Sequence, residues 1–287
     1  MKIRFWGTRG SIPAPGPSTI RYGGNTSCVE VRLDDGTLIV LDAGSGIRPL
    51  GKSLGAARGT VLLTHYHWDH IQGFPFFDSA YIPGSEFRVF GPEFNNAGPR
   101  EYLSDQMMAP YFPATVAQMT AISSFQVTPR EPFRLGSGLV RATRVSHPSV
   151  TLGYRIEADD AVFVYISDNE VDVAPPELID DIVGLASGAD ILVHDCQYTE
   201  GEYAGKHGWG HSTPRQATRI AREAGVAELV LFHHDPTHND EQIEGLADEA
   251  RRLVARSLSI SIAHEGEIID IGAYEDEVIA ADIRAEG

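Results

Sequence analysis

A dense group of potential metal ligands lies between residues 65 and 70. Three imidazoles and one carboxylate occupy these six positions: His65, His67, Asp69 and His70. Neutral imidazole binds divalent zinc, iron or manganese, and a carboxylate adds a hard oxygen ligand. A lone histidine is more often structural, so it is the density of donors that predicts a metal site here.

Three further donors each follow an apolar run later in the chain: His147, Asp168 and His233. Because strand ends can meet at one edge of a sheet, side chains far apart in sequence can converge there. Seven donors exceed the three or four protein ligands of one zinc ion, which predicts two metals bridged by Asp168 and a water. The adjacent His234 is an alternative ligand. His233 is favoured because His233 directly follows the strand.

The donors stand among alternating strand and helix patterns. Apolar runs typical of strands cover 2–7, 27–33, 37–42, 59–64, 86–91, 139–145, 151–157, 161–166, 191–194 and 229–232, with hairpin-like spacing among the first four. Helical spacing covers 175–186, 213–224 and 240–257. Without a strict repeat or a linker, the pattern predicts one α/β domain over residues 1–287, with a frayed acidic tail at 274–287.

Two segments keep alternative interpretations. Residues 8–25 are rich in Gly, Pro and Ser and form either a loop near the chemistry or a plain connector. Within residues 100–132, apolar side chains such as Met107 and Tyr111 cluster between prolines that interrupt a helix. That cluster forms either a peripheral core, which is favoured, or a lid over the substrate.

The charge and cysteine content exclude several classes of protein. The 287 residues include 23 Lys and Arg against 40 Asp and Glu, so the net charge of −17 disfavours extended nucleic-acid binding. A compact anion can still bind where a metal dominates the local field. Only Cys28 and Cys196 are present, which predicts a reducing, cytoplasmic location. No apolar run is long enough to span a membrane. The sequence does not decide the oligomeric state, and a homo-oligomer is possible.

The ordered motifs resemble the metallo-β-lactamase fold superfamily over nearly the whole chain. They are the segment at 65–70, the Asp42-Ala43-Gly44 segment before it, and the three later donors. The resemblance implies a four-layer αββα sandwich with the metals at one edge, between the two sheets. Asp42 itself is expected to hold the histidine loop as an acceptor behind the ligands, which is favoured over direct binding to a metal. The implied ligand sets are His65, His67 and His147 for one metal, Asp69, His70 and His233 for the other, and Asp168 as the bridge.

Two later segments are similar to the phosphodiesterase branch of this superfamily, typified by ribonuclease Z. They contain Asp195, after His194, and His211, before Ser212 and Thr213. The resemblance implies that Asp195 orients His211, which holds a phosphate oxygen or protonates the leaving alkoxide. The branch usually has Glu at the position of Asp195. The Asp side chain is one methylene shorter, so its carboxylate reaches less far toward His211. A structural alternative makes His211 a cap for the helix near Thr213, although Ser212 is the expected cap.

These observations lead to a specific functional hypothesis. The chain is expected to be a binuclear metal hydrolase that cleaves a small or cyclic phosphodiester with a water activated between the metals, using Asp69, Asp195 and His211. Zinc is the first choice, with manganese or iron open. Only 20 residues separate His147 from Asp168, which leaves no room for the arm by which ribonuclease Z grips transfer RNA. The alternatives are a lactone or thioester hydrolase and a non-catalytic sensor.

Overall fold

Two seven-stranded β-sheets pack face to face at the centre of this computed structural model, which describes residues 1–254 and 258–272. The acidic tail expected at 274–287 lies outside the described residues. The first seven strands are β1 (Lys2–Gly7), β2 (Cys28–Arg32), β3 (Leu38–Leu41), β4 (Arg58–Leu62), β5 (Glu86–Gly91), β6 (Ile122–Val127) and β7 (Phe133–Leu135). The remaining strands are β8 (Gly138–Val145), β9 (Thr151–Ala158), β10 (Ala161–Ile166), β11 (Ile191–Asp195), β12 (Glu228–Phe232), β13 (Ser259–Ile262) and β14 (Ile268–Asp270).

The α-helices lie mainly on the outer faces of the two sheets. They are α1 (Ile47–Leu54), α2 (Trp68–Ile71), α3 (Pro99–Gln106), α4 (Pro176–Ala186), α5 (Glu200–Tyr203), α6 (Pro214–Ala224) and α7 (Asp240–Val254). Buried residues of α1 and α3 pack on the first sheet, and those of α4, α6 and α7 pack on the second. No helix in the described part of the chain is long and apolar enough to cross a bilayer.

The sheet order explains how strand ends come together. The first sheet runs β14-β1-β2-β3-β4-β5-β6, and the second runs β13-β12-β11-β10-β9-β8-β7. The hairpin-like spacing expected for the first four strands holds for β1, β2 and β3, which pair antiparallel. It is wrong for β4, which pairs parallel to β3. The reason is α1, which the sequence patterns did not predict and which supplies the crossover that a parallel pair needs.

Alternating side chains on the strands build the four layers. Along β10, Phe163 and Tyr165 point between the two sheets, where they join Phe5 and Phe232. Val164, the intervening residue, instead packs under the helices of the second sheet. This period of two is the property of a strand buried on both faces. The result is the αββα sandwich that the sequence predicted.

The segment at 100–132 contributes to the peripheral core that the sequence favoured, and part of it is exposed. Leu103 and Met107 are buried in the apolar cluster outside the first sheet, as expected for a peripheral core. Met108 and Tyr111, by contrast, are 50% and 78% exposed. One face of the segment therefore stabilises the fold, and the other presents apolar surface to solvent.

The expectation that Ser212 caps the helix near Thr213 is wrong. Thr213, and not Ser212, is the N-cap, because its hydroxyl accepts a hydrogen bond from the Gln216 amide. The Ser212 hydroxyl donates instead to the Asn169 carbonyl at 2.5 Å. Pro214 decides the register, since proline favours the first helical position and the preceding residue then becomes the cap.

Candidate metal centre

The ends of strands from both sheets meet at one edge of the sandwich. His65 lies three residues after β4, and His147 and Asp168 each lie two residues after β8 and β10. His233 directly follows β12. All seven donors that the sequence singled out lie in this one cluster, in overlapping groups whose ligand atoms are within 4.8 Å of one another.

Within the described residues, five overlapping groups of three side chains could each hold an ion, and two of them have the same members as the sets that the family resemblance implies. The first group contains His65, His67 and His147, and the second contains Asp69, His70 and His233. The other three groups combine some of these donors with Asp168, Asp195 or His211. Within the second group, the Asp69 Oδ2 atom lies 3.1 Å from His233 Nε2 and 3.3 Å from His70 Nε2.

Asp168 lies between the two groups. Its carboxylate is 1% exposed, and its Oδ2 atom lies 3.8 Å from His65 Nε2 and 3.5 Å from His233 Nε2. Its Oδ1 atom lies 3.1 Å from His70 Nε2. The Asp168 carboxylate therefore faces imidazole nitrogens of both groups.

Hydrogen bonds at the Nδ1 atoms orient four of the imidazoles. His70 donates to Asp42 Oδ2 at 2.8 Å, which gives Asp42 the supporting role expected of it. His147 Nδ1 donates to the Gly210 carbonyl at 2.9 Å, and His233 Nδ1 donates to Gln197 Oε1 at 2.9 Å. His65 Nδ1 is 3.0 Å from the Thr64 hydroxyl. Such partners fix the ring and leave Nε2 to act as a ligand.

Backbone strain coincides with two of these positions. Asp42 and His233 have φ values of 61° and 60°, in the left-handed region that residues other than glycine rarely adopt. Such conformations cost on the order of 1–3 kcal/mol and persist where the surroundings hold them. Here the sharp turn at the end of a strand directs each side chain back toward the cluster.

The rings of the adjacent residues His233 and His234 point to different parts of the structure. His234 Nε2 donates to the Ala263 carbonyl at 3.0 Å, and burial lowers the pKa of His234 to about 3. Its ring therefore contacts the backbone that follows β13, whereas the His233 ring lies in the cluster. The change of direction follows from the left-handed conformation at His233.

The loop at 8–25 lies against the cluster rather than serving as a plain connector. The Ser11 amide donates to Asp69 Oδ2 at 2.7 Å. Gly10 packs directly on the His233 ring, so that a methyl group at this position would overlap it. This loop therefore contacts two of the predicted ligands, Asp69 and His233.

A carboxylate–imidazole pair lies beside the donors. His211 Nδ1 donates to Asp195 Oδ2 at 2.8 Å, so the shorter side chain of Asp195 does make the contact. The His211 ring lies 4.9 Å from the His233 ring and 5.4 Å from the His147 ring, measured between centroids. Since Asp195 holds Nδ1, the opposite nitrogen Nε2 is directed away from it. The capping role considered for His211 is wrong, because Thr213 caps α6.

The electrostatics of the cluster favour a bound cation. Burial alone lowers the pKa of His233, but the Asp168 and Asp69 carboxylates outweigh it and raise that pKa to about 9. The same competition raises the pKa of His70 well above its usual value. The buried carboxylates thus require positive charge nearby, and a divalent cation provides it while the imidazoles stay neutral.

The polar atoms of the site also fit a metal. Within the described residues, the buried His65 Nε2 atom has no hydrogen-bond partner, and the buried Asp168 Oδ1 atom has only the ionic contact with His70 Nε2 and no hydrogen bond of good geometry. Buried polar groups are normally paired, so two such atoms in one cluster need an explanation. An imidazole nitrogen and a carboxylate oxygen are both ligands for zinc, and a metal would satisfy both atoms.

Sequence reasoning missed several residues that support the site. Gln197 holds His233, and the Glu170 carboxylate accepts from the amides of Gly208 and Gly210 at 2.7 and 2.6 Å. Glu170 thereby fixes the carbonyl that orients His147. The proximity of Gln197 to the motif at 194–196 was the one available signal, since these contacts join segments far apart in the chain.

Comparisons with known proteins agree with this architecture. A family model described as a beta-lactamase superfamily domain matches residues 37–234. Ribonuclease Z of Thermoplasma volcanium is 26% identical, over 93% of this chain and 97% of its own length.

Two solved structures share the fold. The metallo-beta-lactamase fold protein YhfI from Bacillus subtilis has a TM-score of 0.68 at 21% identity, with 94% of this chain and 99% of that chain covered. A diphosphatase from the PhnP family also has a TM-score of 0.68, at 18% identity, with 94% and 97% covered. The expected fold class is confirmed.

The contact between Gly10 and His233 generates a prediction. Gly10→Ala should lower zinc affinity roughly 10- to 100-fold, because the added methyl group displaces the His233 ring. Competition with a chromophoric chelator measures the affinity. Gly16→Ala is the matched control, since that glycine is in the same loop and its added methyl group would have no neighbour within 4 Å. Equal affinities for the two variants would contradict the positioning role of Gly10.

Proposed function

The chain belongs to the beta-lactamase superfamily and is a metal-dependent hydrolase, and we propose that it uses two divalent ions to cleave a small or cyclic phosphodiester. The observation that carries this proposal is the Asp195–His211 pair beside the seven-donor cluster. Both sheets contribute ligands, which supports a single catalytic domain over residues 1–287.

The chain offers a separate ligand set for each ion. We assign one ion to His65, His67 and His147, the other to Asp69, His70 and His233, and the bridging role to Asp168. When bound, such ions polarise a phosphoryl oxygen and lower the pKa of a coordinated water. Zinc suits this mixture of nitrogen and carboxylate ligands, and manganese or iron suits it as well.

The contacts of His211 with its neighbours suit it to donate a proton during the reaction. The Asp195 carboxylate holds Nδ1 of His211, and the ring is packed between His147 and His233. His211 can therefore present a proton on Nε2 to the oxygen that leaves phosphorus, and Asp195 stabilises the charged ring before the transfer. A phosphodiester needs this assistance because an alkoxide is a poor leaving group.

Substrate size is argued from the chain between two ligands and from charge. The residues between His147 and Asp168 are taken up by β9 and β10, which form an antiparallel pair. With a net charge of −17, the surface gives no general attraction to a polyanion. The relatives named ribonuclease Z favour a second candidate, cleavage of an RNA phosphodiester.

The bridging role of Asp168 is tested by metal analysis. The reconstituted wild type should hold about two zinc ions per chain, and Asp168→Ala should weaken both because the carboxylate serves both sites. Elemental analysis after dialysis against defined free zinc gives the stoichiometry. Asp172→Ala, which removes a carboxylate paired with Arg215 at the surface, is the control. A wild-type stoichiometry that stays near one would refute the binuclear site.

The proton-donating role of His211 is tested by comparing leaving groups. His211→Ala should leave the metal content intact and cut turnover by roughly 10²–10⁴-fold on alkyl phosphodiesters. The loss should be much smaller on activated nitrophenyl esters, which leave without protonation. His264→Ala, outside the cluster, is the control. Equal losses on both substrates would indicate that His211 only positions phosphate, and loss of metal would make it a ligand.

The choice of substrate is tested by competition among ester classes. The zinc-loaded protein should hydrolyse cyclic nucleotides or bis(p-nitrophenyl) phosphate in preference to precursor transfer RNA and lactones. Its activity should change little with salt, because few phosphates are neutralised at the surface. Transfer RNA processing with a steep inverse salt dependence would support the RNA candidate instead. A preference for lactones would replace the phosphodiesterase proposal.

A further inference from the structure

An aromatic groove opens beside the candidate metal centre. It has a volume of about 460 Å³. Most of the lining is aromatic or aliphatic and comes from the segment around α2, from α3 and from the residues after α3. Two lining residues of α3 are polar. The lining residues are Tyr66, Trp68, Ile71, Tyr102, Asp105, Gln106 and Tyr111.

Residues that line the groove are direct chain neighbours of the donors, although no donor lines it. Tyr66 and Trp68 flank the predicted ligand His67, and consecutive Cα atoms are only about 3.8 Å apart. His67 is itself exposed, whereas His65, Asp69 and His70 are buried, so His67 is the donor of this segment that is open to solvent. Because one short segment carries both the donors and part of the groove lining, a single extended ligand can contact both.

The lining combines an ordered wall with open aromatic surface. The rings of Tyr66 and Tyr102 stack at 4.4 Å, and the Tyr66 hydroxyl donates to the Pro92 carbonyl at 2.5 Å. Trp68 and Tyr111 are 68% and 78% exposed, respectively. Large aromatic side chains left in solvent next to a reactive centre are typical of a binding surface.

We propose that this groove binds the nucleobase of the substrate while its phosphate lies at the metal centre. The inference rests on the proposed phosphodiesterase function and narrows the substrate to a nucleotide-type phosphodiester. Aromatic faces stack on bases of any sequence, and the Asp105 carboxylate at the groove can accept a hydrogen bond from an amino group of a base. The same carboxylate repels a second phosphate, which disfavours a polynucleotide strand there.

Trp68 and Tyr111 are the residues that determine this specificity. Both offer ring surface to solvent, and neither belongs to the seven donors or to the Asp195–His211 pair. Base stacking on an aromatic side chain strengthens binding by roughly 5- to 100-fold. The groove should therefore distinguish a nucleotide from a sugar phosphate of the same charge.

Calorimetric titration of the zinc-loaded full chain tests the groove without catalysis. The two probes are AMP and ribose 5-phosphate, which share a phosphorylated ribose and differ in the adenine base. The wild type should bind AMP roughly 5- to 100-fold more tightly, and Trp68→Ala and Tyr111→Ala should each reduce that ratio. Trp68→Phe should restore most of it. Ile268→Ala, a change at an exposed apolar residue on edge strand β14, should leave it unchanged.

The outcomes separate this inference from the proposed function. Equal affinities for the two probes, or a ratio that both alanine variants preserve, would overturn the base site even if phosphodiesters are hydrolysed. Base-dependent binding that needs Trp68, with no phosphodiester hydrolysed, would uphold the groove and refute the proposed function. If sedimentation shows a dimer that Tyr111→Ala dissociates, with no base-dependent binding, a second copy of this chain occupies the groove instead.

Discussion

Burial of the Asp168 carboxylate among imidazoles is the constraint on which the site depends. This side chain lies within 4.0 Å of a nitrogen in each of five histidine rings. A buried carboxylate is costly unless positive charge or hydrogen bonds compensate it. Its position at the end of β10 places it where both sheets can supply that compensation. The raised pKa values of His70 and His233 show how strongly the pocket favours positive charge.

The rest of the edge keeps those rings in place. Acceptors behind them are a carboxylate, an amide and a backbone carbonyl, each within 2.9 Å of an Nδ1 atom. Glycine lets neighbouring loops approach the rings, with Gly10 against His233 and Gly210 against His147. The loop that carries Gly210 is held in turn by the buried carboxylate of Glu170. Orientation thus comes from segments that contribute no ligand themselves.

The proposed function and the proposed base-binding groove place reaction chemistry and substrate recognition in neighbouring parts of this edge. The His211 ring lies near the rings of His147 and His233, and the aromatic groove is lined by Tyr66 and Trp68, the chain neighbours of His67. A phosphate at the donors would therefore have a proton donor near one side and a stacking surface near the other. In this proposal, cations held at the donors would attract an anion locally, whereas the net charge of −17 gives the rest of the surface no general attraction to polyanions.

The sequence by itself indicated the candidate donors and an α/β fold, because both depend on local residue patterns, and the order of its motifs carried the family resemblance that implies the four-layer sandwich. Four donors stand within 65–70, and strand and helix periods recur around the others. Tertiary structure alone decided which neighbouring histidine faces the cluster, since that depends on the left-handed turn at His233. It also decided that the loop at 8–25 packs on the ligands, that Gln197 and Glu170 support them, and that a groove forms along α3. Those features depend on contacts between distant segments, which residue types and spacing do not encode.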